Sequence, residues 1–222
     1  MIFQKLIRMH RSQKGITGLE TAIILIAFVV VAAVFSYTVL SAGLFATQKS
    51  SESVYAGLKE TQSTMELRGS AVAYKGDANI SSSVGKVEFT LSNSLKNGEA
   101  IDLAPPYTLS GGAPTSSGLT NPTTIAYTDQ AVTIANTAWT LSWVGKHSDD
   151  YLLEESEKAV ITVWLHNYNG SAWSDGTSPP FLGSNYVDAY HTFTLEVKPP
   201  RGAVLCIERS MPAYLDTVMD LH

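Results

Sequence analysis

The residues best placed to take part in chemistry surround Gly15. The leader before it carries four basic residues and no acidic one: Lys5, Arg8, Arg11 and Lys14. An ordinary secretory signal has its small-residue cleavage site after the apolar region, so that the apolar part is discarded. Here the apolar run follows Gly15. A cut between Gly15 and Ile16 would therefore leave a mature chain that starts with its own apolar helix.

Glu20 is the one acidic residue next to this apolar run. A carboxylate beside a membrane-spanning segment is costly unless it is paired, exposed or neutralised. The structural interpretation is an acid near a helix N-terminus, favoured by the macrodipole, with Thr17 as a candidate cap. The functional interpretation is a role in assembly, and the two are compatible.

Other reactive patterns are weak. The sequence has no phosphate-binding glycine loop, G-x-S-x-G elbow or H-E-x-x-H helix. His166 and His191 lie in strand-like runs and could approach each other, although packing explains them as well as a metal site does. The acidic residues of 149–157 are candidates for Ca²⁺, and a solvated loop explains them equally. No other cofactor is expected.

Two sequons fall in predicted loops: Asn79-Ile80-Ser81 and Asn169-Gly170-Ser171. Chance alone places one or two such tripeptides in a chain of this length. In an exported domain, Asn79 and Asn169 become candidate N-glycosylation sites. Asn169-Gly170 also favours a hairpin turn.

The elements that must position these residues fall into two classes. Thr21 to Gln48 contains no charged residue, and a helix of that length would be about 42 Å long, enough to cross a bilayer. The helical pattern continues to about residue 67, and Arg68-Gly69 is a plausible stop. From residue 70 the period changes to two, and strands are predicted at 87–91, 139–143, 161–165 and 193–197, with shorter ones at 71–75, 123–127, 131–135 and 202–207. The stretch 109–124 is predicted to be a surface loop.

These patterns predict an α+β fold in which a long N-terminal hydrophobic helix precedes an antiparallel β-sandwich or barrel of Ig-like architecture. The domain boundaries are a leader at 1–15, a helix at 16–68 that spans the membrane or forms a filament core, and an outer β domain at 69–222. Nothing in this chain could cover so long an apolar rod, so partner helices are expected to do so.

Composition excludes some classes of function. The net charge is −5, and loss of the four basic leader residues would make it −9, which argues against nucleic-acid binding. The basic leader is expected to stay on the cytoplasmic side of a membrane. The single cysteine, Cys206, excludes an internal disulfide and is predicted to be a small buried residue in a strand.

At the N-terminus the sequence resembles the archaellins, the archaeal flagellins, which belong to the type IV pilin-like superfamily. Gly15 matches the residue before the cleaved bond, Ile16 the residue after it, Gly18 the third mature residue and Glu20 the fifth. The C-terminal segment FTLEVKPPRGAVLCIERSMPAYLDTVMDLH is also similar to archaellins. The resemblance is weak between the two ends.

This resemblance implies a structural protein and not an enzyme. It implies a type III signal peptide removed by a prepilin-type leader peptidase, and a membrane-inserted precursor that the archaellum assembly machinery adds to an extracellular motility filament. The partners would be copies of the chain or sibling archaellins. It further implies that Glu20 helps to register an incoming subunit, and it supports N-glycosylation.

Three alternatives remain open from the sequence. An adhesive type IV-like pilin would share the leader and the helix. A membrane-anchored β-sandwich could bind sugars through tryptophans, namely Trp139, Trp143, Trp164 or Trp173, although alternating strand positions favour core roles for the first three. An ordinary signal cut near Ser41-Ala42-Gly43 would give simple secretion.

Overall fold

A computed structural model describes residues 14–95, 98–176 and 181–221 of the chain. The predicted leader therefore lies outside the described residues up to position 13. The chain divides into two compact units, Met1–Ala56 and Gly57–His222. The first contains most of the apolar helix, and the second contains the end of that helix together with the β domain.

The helix α1 spans Lys14–Gln62, 49 residues, and is therefore about 74 Å long. The prediction that it continues to about residue 67 was wrong. Ser63 and Thr64 leave the helix, and Met65–Leu67 forms a strand whose Met65 lies opposite Asn93. Burial of Met65 and pairing with a strand distant in sequence outweigh the local helical period.

The β domain consists of short strands, which we number in chain order. They are β1 Met65–Leu67, β2 Ala71–Lys75, β3 Val84–Asn93, β4 Ile101–Asp102, β5 Tyr107–Ser110, β6 Ala113–Ser116, β7 Thr124–Thr128, β8 Thr133–Ile134, β9 Ala138–Trp143, β10 Leu152–Leu153, β11 Lys158–Trp164, β12 Asn167–Tyr168, β13 Trp173–Ser174, β14 Thr192–Lys198, β15 Leu205–Ser210 and β16 Val218–Leu221. A 3₁₀ turn, Ala78–Ile80, precedes β3.

Two antiparallel sheets form the sandwich. The larger has six strands in the order β16-β2-β3-β11-β9, with β1 also paired to β3, and the smaller has four in the order β15-β14-β7-β8. Alternate residues of both sheets point into one shared core, as shown by Phe89 and Ile161 from the larger sheet and Phe193 and Leu195 from the smaller. This inward–outward alternation is the pattern from which the strands were predicted.

Two local predictions were wrong. Part of the predicted loop at 109–124 is a hairpin, because Gly111 and Gly112 both adopt positive φ, 60° and 87°, and allow β5 to fold back onto β6. Cys206 is exposed and not buried. In β15 it is Ile207 that faces the core, so its neighbour Cys206 faces outward.

Candidate functional site: the apolar helix and the surface of the β domain

The dominant feature of the helix is an apolar surface on all sides. Phe28, Val30 and Leu40 are 72%, 55% and 64% exposed, although at about 100° per residue they lie on three different faces of the helix. The segment Gly18–Lys59 is long and apolar enough to cross a membrane. Leaving such side chains in water costs roughly 25 cal/mol for each Å². The surface therefore requires lipid or other helices around it.

Hydroxyl groups within this segment are turned back onto the helix. Thr38 Oγ1 donates to the Phe35 carbonyl at 2.8 Å, and Thr47 Oγ1 donates to the Leu44 carbonyl at 2.9 Å. Such bonds satisfy the hydroxyl within the helix itself. The threonines are thereby compatible with an apolar environment, whether lipid or packed helices.

The residues of the predicted cleavage site begin this helix. Its backbone is helical from Lys14, so Gly15, Ile16 and Gly18 form one continuous helical start. A side chain added at Gly18 would meet open space. The Glu20 side chain is exposed and lies beyond the first turn of the helix, which contains no acidic residue.

Where the helix ends, a small group of charges and one glycine connects it to the β domain. Glu99 Oε1 lies 3.4 Å from Lys59 Nζ of the helix and 3.5 Å from Arg201 Nη1. The next residue, Gly202, has φ +95°, and a Cβ there would fall on the Ser63 carbonyl, well inside van der Waals contact. Glycine is therefore required at this position for two independent reasons. In the sequence, this Pro-Pro-Arg-Gly segment was notable only because the C-terminal segment resembles that of archaellins; its contact with Ser63 was not predicted.

The two sequon asparagines are both exposed, and the segments that carry them are joined by a hydrogen bond. Asn79 lies in the 3₁₀ turn, and Asn169 begins the tight turn between β12 and β13, as predicted for a hairpin. The Asp77 carboxylate connects the two regions, because its Oδ2 accepts hydrogen bonds from Asn79 Nδ2 at 3.1 Å and from the Trp173 N–H at 3.2 Å.

The candidate metal residues have separate structural roles. His166 is buried, with Nε2 3.3 Å from Ser83 Oγ, whereas His191 Nε2 lies 3.1 Å from Asp129 Oδ2. Burial lowers the pKa of His166, with a partly opposing effect from Asp175. Within residues 14–95, 98–176 and 181–221, no group of three or more His, Cys, Asp or Glu is placed to hold a metal ion.

The acidic stretch 149–157 uses its carboxylates to shape a loop. Glu157 Oε1 accepts from the Ser148 N–H at 2.7 Å, and its Oε2 accepts from the Glu154 N–H at 3.0 Å. Asp150 Oδ1 accepts from the Leu152 N–H at 3.0 Å. These bonds account for the positions of two of the acids, and calcium binding stays a prediction.

Asp129 forms a buried hydrogen-bond network that the sequence did not reveal. Its side chain is 2% exposed and accepts from Tyr127 Oη and from the N–H groups of Ala131 and Val132, each at 2.7 Å. Burial raises the pKa of this carboxyl, but the hydrogen bonds, Tyr127 first and His191 among them, outweigh burial and lower it. Burial, followed by the hydrogen bond to Asp129 and the charge of that carboxylate, raises the pKa of Tyr127.

The tryptophans serve mainly as packing residues. Trp139 is fully buried, and Trp164 is 4% exposed with its Nε1 donating to Thr140 Oγ1 at 3.1 Å. The prediction that these two are core residues is confirmed. Trp143 is half-buried and stacks on His147, and Trp173 packs over Gly85. Core positions do not provide a platform for sugars.

Comparison with known proteins decides the family. The sequence profile of the family described as archaeal-type flagellin matches residues 15–209. The chain belongs to the archaeal-type flagellin family. It is 38% identical to "Probable flagellin 1" of Archaeoglobus fulgidus over 219 residues, 96% of this chain and 98% of the relative. It is 31% identical to "Probable flagellin 1" of Aeropyrum pernix over 219 residues, 93% and 96% of the two chains.

The structure of the archaeal flagellum of Methanospirillum hungatei strain JF1 is also similar, with a TM-score of 0.60 and 28% identity over 92% of this chain and 98% of that one. The predicted fold class, a long apolar helix followed by antiparallel sheets, is thereby confirmed. This archaellin is a structural filament subunit of the extracellular archaellum. The family to which it belongs consists of structural proteins.

Proposed function

We propose that this archaellin is made as a membrane-inserted precursor and joins the filament only after a prepilin-type leader peptidase removes residues 1–15. The helix then exchanges lipid for the helices of identical or sibling subunits, delivered by the archaellum assembly machinery, and the chain has no catalytic role. The observation that carries this proposal is the uncharged stretch Thr21–Gln48, with apolar side chains exposed around the helix.

The physical reason is that the same surface is compatible with two environments. In a bilayer, the α-helix satisfies its backbone hydrogen bonds internally and presents apolar side chains to lipid. In a filament, burial of the same side chains stabilises many weak helix–helix contacts together. A head-to-tail interface that does not close into a ring generates a helical polymer. The β domain would coat the outside, and rotation of the filament would drive swimming.

N-terminal sequencing of purified filaments tests the processing step. Ile16 as the first residue is expected; Met1 would indicate an uncleaved anchor, and a start near residue 44 would indicate ordinary secretion. Gly15→Val should leave precursor in the membrane. Gly43→Ala, a change in open surroundings on the same helix, should be processed normally.

Glu20 is proposed to register the incoming subunit, its carboxylate approaching the new α-amino group of a neighbouring mature chain. Glu20→Gln should then reduce filament length or number without affecting cleavage. Glu52→Gln is the matched control, because Glu52 is an exposed acid on the same helix that pairs with Lys49 at 2.9 Å. Equal effects of the two variants would contradict a registering role for Glu20.

Asn79 and Asn169 are proposed as N-glycosylation sites, and an intact mass equal to that of the unmodified mature chain would contradict this.

The acidic loop at 149–157 is proposed as a candidate binding site for Ca²⁺. Addition of Ca²⁺ or of a chelator should shift the thermal unfolding of the β domain if the loop binds the ion. An unchanged midpoint would assign these acids to the loop alone.

A further inference from the structure

The two sequons differ in what holds their carboxamide groups. At Asn79 the nitrogen Nδ2 donates to Asp77 Oδ2 at 3.1 Å, while the Asn79 backbone N–H donates to Asp77 Oδ1 at 2.9 Å. A carboxylate only accepts hydrogen bonds, so the group facing it must be the NH₂ and not the oxygen. The atom that glycosylation modifies is therefore engaged in a bond to a charged acceptor.

At Asn169 the hydrogen bonds involve the other end of the group. Asn169 Oδ1 accepts from the N–H groups of Ser171 and Ala172, each at 2.9 Å. Backbone N–H groups only donate, so this atom must be the oxygen. The two bonds hold the exposed carboxamide of Asn169 through its oxygen, and neither bond involves its nitrogen Nδ2.

The surroundings of the two asparagines also make Asn169 easier for an enzyme to reach than Asn79. Ile80, the middle residue of the first sequon, is fully buried, and Ser81 closes the 3₁₀ turn with φ +54°. Presenting this tripeptide in an enzyme's active site would require extraction of Ile80 from its pocket. The second sequon has glycine in the middle, and Gly170 adopts φ +95° in the four-residue turn, 169–172, between β12 and β13. Gly170 lies against the Gly111 carbonyl of the β5–β6 turn, but this is a contact between backbone atoms, so an enzyme can reach Asn169 without extracting a buried apolar side chain.

Asp77 also ties the first sequon to the hairpin that carries the second. Its Oδ2 accepts from the Trp173 N–H at 3.2 Å, and Trp173 packs over Gly85, where a Cβ would lie 2.6 Å from the indole. Loss of the Asn79–Asp77 bond would thus disturb an anchor shared by both segments. Modification of Asn79 in the folded domain opposes this packing, whereas modification of Asn169 does not.

We propose that the folded β domain presents Asn169 as its glycan acceptor and that Asp77 protects Asn79. This rests on the proposed N-glycosylation and specifies which of the two sites is used. The donor would be a saccharide linked to a lipid phosphate. The Asn169 nitrogen forms a bond to the anomeric carbon and loses one proton to a base of the transferase, while the lipid phosphate leaves with the electron pair of the broken C–O bond.

Peptide mapping by mass spectrometry on filaments assembled in a native archaeal host tests this proposal. Hydrogen bonds to charged groups are strong enough to lower occupancy at Asn79 to about a tenth of that at Asn169, or less. Occupancy at Asn79 equal to or above that at Asn169 would overturn the proposal. Asn169→Gln should remove most of the glycan mass, whereas Asn79→Gln should remove little.

Asp77→Ala should raise the occupancy of Asn79 severalfold. Asp102→Ala is the matched control, because Asp102 Oδ1 in β4 accepts from the Ala104 N–H at 2.9 Å, the same i→i+2 bond that Asp77 makes to the Asn79 N–H, and Asp102 lies in neither sequon. An Asp77→Ala variant that fails to assemble leaves the wild-type ratio as the deciding measurement. Filaments with Ile16 at the N-terminus but no glycan at either site would overturn both the proposal and glycosylation, and would leave the filament role intact.

Discussion

Replacement of Gly202 by alanine tests whether the Pro-Pro-Arg-Gly segment fixes the end of the helix to the β domain. Gly202 has φ +95°, and its added Cβ would overlap the backbone oxygen of Ser63. The matched control is Gly69→Ala, because Gly69 has φ +83° but nothing within 4 Å of an added Cβ. The difference between the two variants therefore isolates the steric contact from the conformational cost.

The magnitudes follow from these two terms. A non-glycine residue in the left-handed region costs about 1–2 kcal/mol, and Gly69→Ala should lose only this. Gly202→Ala should lose a further 1–3 kcal/mol or so, because the overlapping atom is backbone and can yield only if the strand or the helix end shifts. For a domain of this size each kcal/mol lowers the melting temperature by about 2–4 °C. We expect decreases of about 4 °C for Gly69→Ala and about 10 °C for Gly202→Ala.

The assay is thermal unfolding of the detergent-solubilised mature chain, followed by tryptophan fluorescence. All four tryptophans lie in the β domain, from Trp139 to Trp173, so the signal reports on that unit. Equal melting temperatures for the two variants would refute the argument that Gly202 is required for close approach. A larger effect from Gly69→Ala would refute it more strongly.

Three further predictions concern the helix and the buried ionisable groups. Val31 is 67% exposed in the middle of the apolar stretch. Val31→Asp should abolish the filaments seen by electron microscopy, because a carboxylate is costly both in lipid and between packed helices. Val144→Asp on the β domain should leave the filaments intact. Asp129→Asn should destabilise the domain by about 2–4 kcal/mol in chemical unfolding, because a buried acceptor of charge-assisted hydrogen bonds is lost. The lowered pKa of Asp129 adds stability that is complete above the pKa of the unfolded chain and is lost as the pH falls through the folded value. The difference in stability between wild type and Asp129→Asn should therefore begin to narrow as the pH falls below about 4. The pKa of His166 is also lowered in the folded chain, so the unfolded chain binds the proton more tightly. The stability of the domain should therefore fall as the pH drops below about 6.5. His166→Phe should flatten this part of the stability profile.

The main features of the fold follow from local patterns in the sequence. Strands such as 87–91 and 193–197 were predictable because alternate residues, Phe89 and Leu195 among them, must fill a core between two sheets. The apolar helix was predictable because charges are absent over Thr21–Gln48. The first signal arises from burial between the sheets, and the second from the exclusion of charge by an apolar environment; both depend only on residue type and spacing.

The errors arise where distant segments meet. Met65 continues a helical spacing, but its backbone pairs with Asn93 and its side chain enters the core. The outward orientation of Cys206 depends on which neighbour enters the core, and both registers look alike in a sequence that alternates weakly. The roles of Asp77 and Gly202 depend on partners that are 96 and 139 positions away, Trp173 and Ser63.

In the proposed assembly the mature helix, which starts at Ile16 once the leader is removed, exchanges lipid for copies of itself. An electron cryo-microscopy reconstruction of filaments purified from cells tests it most directly. We expect a core of tightly packed helices formed by residues 16–62, with the β domains outside and density that starts at Ile16. Helices separated by lipid, or a core built from β domains with density for the leader still attached, would contradict it.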